Sequence, residues 1–277
     1  MNHEDLKSIV RDKYSEIAHQ SKEQNQCSCC GAGGCSMVDY TIFSEDYSTL
    51  KGYNADADLG LGCGLPTEFA LIKEGDTVVD LGSGAGNDAF VAREITGPSG
   101  KVLGLDMTPA MIDKARENAE KLGFNNVEFR LGDIEDMPIG GNRADVVVSN
   151  CVLNLVPDKQ KAFSEIYRIL KPGGHFSISD VVIQGELPDG LRNDAEMYAG
   201  CVAGAILKDE YLDLIRQTGF KGIHVQKERA IVIPDDILAN YLTADEIHQV
   251  REGRVGIFSI NVYGEKPVEP CCEPGCC

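Results

Sequence analysis

Between residues 76 and 182 short apolar runs alternate with helical patterns, and the first junction between them is built of glycine. Strands are expected at 77–81, 101–106, 127–131, 144–150 and 175–182. Helices are expected between them, at 86–95, at 109–122 behind the cap Thr108, and at 158–170. The last of these stops at Lys171-Pro172-Gly173-Gly174. The run Val146-Val147-Val148 is the pattern of a strand buried on both faces. Alternation of this kind closes as a mostly parallel twisted sheet with right-handed crossovers and helices on both faces. The expected fold class is therefore α/β and Rossmann-like, with a small C-terminal α+β elaboration.

The flanks carry less pattern. Leu6, Ile9, Val10, Tyr14, Ile17 and Ala18 recur at helical spacing, so 3–22 is expected to be an amphipathic helix packed over the central domain. A Cys-, Gly- and Ser-rich loop follows at 26–37, and Leu59-Gly60-Leu61-Gly62-Cys63-Gly64 reads as another loop before Pro66 opens a short helix. Farther on, 190–206 reads as a helix carrying Cys201 and 208–218 as a helix ended by Gly219. Residues 221–227 and 255–263 read as a final antiparallel pair around a helical insertion at 234–252. Four parts are expected: an N-terminal helix and Cys-rich loop (1–65), a cofactor domain (66–185), substrate-side helices with the α+β region (186–263), and a mobile Cys-rich tail (264–277).

The 277 residues carry 44 acidic against 26 basic side chains, a formal charge of −18. No basic patch stands ready to neutralise phosphates, which argues against a nucleic-acid partner. No stretch approaches the apolar length of a membrane span, and the N-terminus lacks the pattern of an export signal, so no membrane partner and a cytoplasmic location are expected. In a reducing compartment, clustered cysteines point to metal binding or catalysis before structural disulfides.

Gly82, Gly84 and Gly86 permit a tight turn and close approach of backbone to a ligand. A nicotinamide-dinucleotide fingerprint would place glycine at 87, where this chain has Asn87. Asp80 precedes the loop, Asp106 ends the second strand, and Gly132-Asp133-Ile134-Glu135 ends the third. With Lys171-Pro172-Gly173-Gly174-His175 before the fifth, the pattern resembles the class I S-adenosylmethionine methyltransferases. That resemblance implies the class I methyltransferase fold and S-adenosylmethionine as cofactor. It places the ribose on Asp106, the adenine near Asp133, Ile134 and Glu135, and the sulfonium end near Gly82 and Asn150. Asp80, Gly84, Gly86 and Met107 complete the expected cofactor set.

Eleven cysteines are present. Cys271, Cys272, Cys276 and Cys277 form two vicinal pairs at the end; Cys27, Cys29, Cys30 and Cys35 crowd one segment; Cys63, Cys151 and Cys201 stand singly. Cys151 follows the fourth strand, and ligands of open α/β sheets sit outside the carboxyl ends of strands. It therefore stands where a methyl acceptor belongs, although a lone cysteine also serves as a small buried hydrophobe. Cys35, Cys63, Cys151 and Cys201, spaced 28 and 50 residues apart within their pairs, together with Asn150-Cys151-Val152-Leu153-Asn154-Leu155, resemble the arsenite S-adenosylmethionine methyltransferases. The resemblance covers roughly residues 20–225.

It implies methylation of trivalent arsenic, presented as arsenite or its glutathione conjugate, as a detoxification reaction. Trivalent arsenic is soft and prefers thiolates, and it keeps a lone pair that can attack the methyl group. The attacking atom carries no proton, so no general base is required and catalysis becomes positioning. By the same resemblance Cys151 and Cys201 bind arsenic most persistently. Cys35 and Cys63 supply the further thiolate and form a transient disulfide, which thioredoxin or glutathione resets. Cys27, Cys29, Cys30 and the tail pairs lie outside that set; the tail either is dispensable, captures arsenite, or holds another soft metal. Two other readings stay open: a methyltransferase for a different small molecule with a structural metal site, and a thiol-rich metal-sequestering protein.

Overall fold

Strands β1 (Thr77–Leu81), β2 (Lys101–Asp106), β3 (Val127–Leu131), β4 (Ala144–Asn150), β5 (Leu170–Gln184), β6 (Lys221–Ile231) and β7 (Gly256–Glu265) form one sheet in the order β3-β2-β1-β4-β5-β7-β6. This computed structural model describes residues 3–20, 45–192, 202, 204–253 and 255–268. Cys27, Cys29, Cys30, Cys35, Cys201, Cys271, Cys272, Cys276 and Cys277 lie outside the described residues, as do the expected loop at 26–37 and most of the expected helix at 190–206.

The first five strands pair in parallel. Strand β7 runs antiparallel to both β5 and β6, so it alone reverses direction. The final antiparallel pair is thus part of the main sheet. Strand β7 continues to Glu265, past the expected boundary at 264. Lys266 then exchanges backbone hydrogen bonds with Gly173 and Gly174. The Lys171–Gly174 turn likewise falls inside β5, which starts at Leu170 opposite Ala144, with a register shift before Val146.

Helices α1 (His3–Ala18), α2 (Pro66–Phe69), α3 (Asn87–Thr96), α4 (Pro109–Leu122) and α5 (Lys159–Ile169) are followed by α6 (Asp189–Arg192), α7 (Lys208–Thr218), α8 (Asp235–Leu238) and α9 (Ala244–Arg251). The insertion expected at 234–252 is the pair α8 and α9. Their ends follow local chemistry. Pro109 opens α4, and Gly123 at φ 68° closes it with its N–H on the carbonyls of Ala119 and Glu120. The Asp158 side chain caps α5 by accepting from Lys161 N.

Both sheet faces are covered. Val79, Leu81, Val147, Phe176 and Ile178 pack with Phe163 and Ile166 of α5 and Tyr211 and Ile215 of α7. On the other face Val78, Val146 and Val148 pack with Phe90 of α3 and Met111 of α4. The three valines of β4 are completely buried, and burial of each such side chain contributes about 1.5–3 kcal/mol. Helix α1 turns Val10, Ile17 and Ala18 inward. Among the described residues no helix is long and apolar enough to cross a membrane.

Candidate active site

The carboxyl ends of β1 to β4 open into a cleft. Its floor is Gly82, Ser83 and Gly84 after β1, Asp106 and Met107, Gly132 to Ile134 after β3, and Asn150 to Val152. Lys7, Val10 and Tyr14 of α1 form one wall, and the 57–62 loop with Tyr47 forms another.

The glycine turn has a specific requirement at Gly82. Its φ is +65°, and an added Cβ would meet Val152 Cγ2 at 2.3 Å. The N–H groups of Gly82 and Ser83 both donate to Leu105 O, at 2.7 and 3.0 Å, which folds the turn onto β2. Gly84 N donates to Asp106 Oδ2 at 3.0 Å, and Thr108 N donates to Asp106 Oδ1 at 2.8 Å. The Thr108 side chain and Met107 N–H donate to it as well, so the Asp106 carboxylate is fixed at the edge of the cleft.

Five carboxyl groups line the cleft: Asp58, Asp80, Asp88, Asp106 and Asp133. Asp80 is buried, and its Oδ2 has no hydrogen-bond partner. Burial, then the charges of Asp88 and Asp106, hold its carboxyl well above the ordinary range. Burial also raises Asp88 to about 6, against the hydrogen bonds it receives from Tyr47, Asn150 and Thr67. Burial raises Asp106 too, opposed by the N–H groups of Thr108 and Gly84. Crowded, desolvated acids and an orphan acceptor make a site for a cation.

The second part of the site is a pair of buried cysteines. Cys63 and Cys151 are both buried and belong to one packed cluster with Val10, Leu155, Val181 and Ile257. Asn150 joins this cluster to the cleft. Its Oδ1 accepts from Cys63 N at 2.9 Å and Gly64 N at 3.3 Å, while Nδ2 donates to Gly64 O at 2.9 Å and Tyr47 Oη at 2.5 Å. Tyr47 in turn donates to Asp88 Oδ2 at 2.8 Å. Cys151 has φ +60°, a left-handed backbone that costs a residue bearing a side chain about 1–2 kcal/mol. Its N–H donates to Ser179 O at 2.8 Å. Just beyond it, Asn154 Nδ2 donates to Asp180 Oδ1 at 2.9 Å and to Val181 O at 2.5 Å. Asp180, fully buried, is raised by that burial to about 7. Tyr211 donates to its Oδ2 at 3.1 Å. Burial raises the Tyr211 phenol, and Asp180, Cys63 and Cys151 nearby raise it further.

Of the cofactor residues expected from sequence, Asp80, Gly82, Gly84, Asp106, Met107, Asp133, Ile134 and Asn150 line the cleft, as does Cys151. Cys63 lies behind Gly62, fully buried. Gly86 and Glu135 are off the lining. Gly86 packs under Phe90 and Phe129, where a Cβ would come within 2.8 Å of each ring. Glu135 accepts from Lys7 Nζ at 2.5 Å and Asp158 N at 2.7 Å, so it ties α1 to the start of α5. Sequence reading missed Lys7, Tyr47 and Asp88. Only Asp88, one residue into α3 behind the glycine turn, sits beside a recognised motif. Among the described residues no group of three or more His, Cys, Asp or Glu side chains is placed to hold a metal ion.

The sequence matches the methyltransferase domain family over residues 72–219. It is 44% identical over 238 residues to an arsenite methyltransferase of Halobacterium salinarum, covering 80% of this chain and 59% of that protein. It is 34% identical over 271 residues to an arsenite methyltransferase of Aquipseudomonas alcaligenes, covering 95% of this chain and 74% of that one. The chain belongs to the arsenite methyltransferase family. An arsenic(III) S-adenosylmethionine methyltransferase from Chlamydomonas reinhardtii, solved by X-ray crystallography, has the same fold, with a TM-score of 0.63 at 36% identity over 76% of this chain and 69% of that one. The chain spans about six tenths of the length of the Halobacterium protein, and more of the other two.

S-adenosylmethionine is the cofactor of this fold and family, and the cleft fits it. The orphan oxygen of Asp80 and the surrounding acids suit a ligand with ammonium and sulfonium charges. Asp106 lines the cleft at the end of β2, and Met107 and Ile134 give apolar surface for a purine.

Proposed function

We propose that this chain methylates trivalent inorganic arsenic, with Cys63 and Cys151 as two of the thiolates that hold it. One observation carries the reading: Asn150 lines the cofactor cleft, directly precedes Cys151 and bonds the Cys63 backbone, and both cysteines are buried in the same apolar cluster. When bound, S-adenosylmethionine supplies an electrophilic methyl group on a sulfonium. The protein supplies placement. Asp80, Asp88 and Asp106 hold a cationic ligand in the cleft, and Asn150 fixes the Cys63 segment against the end of β4. Val10, Leu155 and Val181 keep water from the thiols. Arsenic carries its lone pair without a proton, so the buried acids need not act as bases, and orientation is the main contribution.

The family resemblance adds Cys201 as a third ligand and Cys35 as the partner of Cys63 in a transient disulfide. Within the same reading, arsenite enters as such or as its glutathione conjugate, thioredoxin or glutathione restores the thiols, and the role is detoxification in the cytoplasm. The test is to incubate the protein with arsenite, S-adenosylmethionine and a thiol, then chromatograph the arsenic species. Methylated products at more than one turnover support the reading. Arsenite recovered bound and unmodified indicates sequestration, and absence of arsenic binding indicates a different methyl acceptor.

A further inference from the structure

Four small polar side chains lie in a buried strip under the Cys63 segment. Strand β5 contributes Ser177 and Ser179, and β7 contributes Ser259 and Asn261; none is more than 5% exposed. Residues two apart share a face, and the register sets Ser179 opposite Asn261 and Val181 opposite Ser259. All four side chains therefore point to the same side of the sheet.

Each is used. Ser259 Oγ donates to Cys63 O at 2.6 Å. Ser177 Oγ donates to Pro66 O at 2.9 Å. Asn261 Nδ2 donates to Ser179 Oγ at 3.0 Å and lies 3.3 Å from Ser177 Oγ. Gly64 rests so closely on the strip that an added Cβ would stand 2.5 Å from Ser179 Oγ. The backbone of Cys63 is thus bonded on both sides, its N–H by Asn150 of β4 and its carbonyl by Ser259 of β7.

A buried polar strip costs desolvation unless every member is paired, and pairing between β5 and β7 themselves needs only backbone. The partners that justify these side chains are the carbonyls of the 63–66 segment. We infer that Ser259 directly, and Asn261 through Ser177, are positioning residues for the Cys63 segment: they hold it flat on the sheet, against the end of β4 that leads into Cys151. The inference rests on the arsenite reading above and adds β7 to the elements that build the substrate site.

Ser259→Ala and Ser259→Thr in the full chain test it. Loss of one hydrogen bond to a buried carbonyl should raise the KM for arsenite about ten-fold, while the KM for S-adenosylmethionine stays within about two-fold and Ser259→Thr restores the arsenite value. Hydrogen exchange over residues 60–66 provides a readout that needs no arsenic. It should accelerate in Ser259→Ala and recover in Ser259→Thr. An unchanged arsenite KM in a folded Ser259→Ala protein overturns the inference, and so does a parallel rise in both KM values. If the parent protein does not methylate arsenite, the functional reading falls, and exchange alone decides whether Ser259 holds the segment. Unaltered protection of 60–66 then overturns it as well.

Discussion

The side-chain oxygen of Asn150 accepts the backbone N–H of Cys63 at 2.9 Å, so the last residue of β4 holds a thiol segment that lies 87 residues earlier in the chain. The same side chain bonds Gly64 and Tyr47. Each buried hydrogen bond is worth about 1 kcal/mol, and a polar partner left unsatisfied costs about 1–3 kcal/mol. Asn150→Ala should therefore lower kcat/KM for arsenite by about a hundred-fold and lower the melting temperature by several degrees. Steady-state kinetics and calorimetry check both. Asn150→Asp should do worse than alanine above neutral pH, because it sets a second carboxylate where the amide now faces Asp88 Oδ2 at 3.2 Å.

Gly82→Ala should weaken cofactor binding. The position has φ +65°, and the new methyl would meet Val152 Cγ2 at 2.3 Å. Strain of about 1–2 kcal/mol in the backbone adds to the displacement of Val152, which itself lines the cleft. Titration calorimetry with S-adenosylhomocysteine should show affinity weakened by at least about ten-fold. Gly84→Ala is the informative comparison, because an added Cβ there meets nothing within 4 Å, although its φ of +51° still strains the chain.

Cys151 separates stability from function. A left-handed backbone suits glycine, yet a cysteine stands there. Cys151→Gly relieves strain while removing a small buried side chain, two effects of about 1 kcal/mol that oppose each other. Its melting temperature should stay near the parent's, whereas Cys151→Ser keeps the strain. Both should bind S-adenosylhomocysteine, and neither should methylate arsenite. Substantial methylation by either variant would remove Cys151 from the arsenic site.

The pH dependence has a defined sign. Asp88 is raised from 3.8 to about 6, with burial the leading cause. The folded protein therefore binds that proton more tightly than the unfolded chain does. Linkage then makes this group's effect unfavourable as pH rises from about 4 to about 6. Asp80 and Asp106 are raised as well and act in the same direction. A cation bound among the ionised acids offsets their cost. The rise in melting temperature caused by S-adenosylmethionine should grow from about pH 5 to about pH 7 and then level off. A shift that stays constant over that interval would rule out these acids as the cation's partners.

The sheet and the cleft floor were legible because local rules govern them. The glycine turn and an acid at a strand end mark Gly82 and Asp106 in the sequence, and the family resemblance adds Asp80 and Asn150. What stayed hidden was long-range. Tyr47 reaches Asp88 across 41 residues, and Ser259 reaches Cys63 across 196. Nothing in a linear pattern couples such positions. Ser177, Ser179, Ser259 and Asn261 did leave a trace: small polar residues two apart in strands that close a core. Glu135 shows the reverse case. Its place after β3 pointed to the adenine, yet Lys7, from a helix at the other end of the chain, takes its carboxylate.

That ion pair yields the last prediction. Lys7 Nζ lies 2.6 Å from Asp133 Oδ2 and 2.5 Å from Glu135 Oε2, and it is largely shielded, as is Glu135. Lys7, Val10 and Tyr14 together make α1 a wall of the cofactor cleft. A ligand held in the cleft is thus enclosed by a helix that this lysine ties to the residues after β3. Lys7→Met keeps the aliphatic length and removes the charge, leaving Glu135 with the N–H of Asp158 but no cation. The cost of about 1–3 kcal/mol falls on the docking of α1. Dissociation of S-adenosylhomocysteine, followed by surface plasmon resonance, should accelerate about ten-fold, and α1 should become sensitive to trypsin. Association should change little, because net charge at the cleft mouth becomes only one unit more acidic. If dissociation keeps the parent rate while trypsin cuts α1 freely, the helix is not what retains the cofactor.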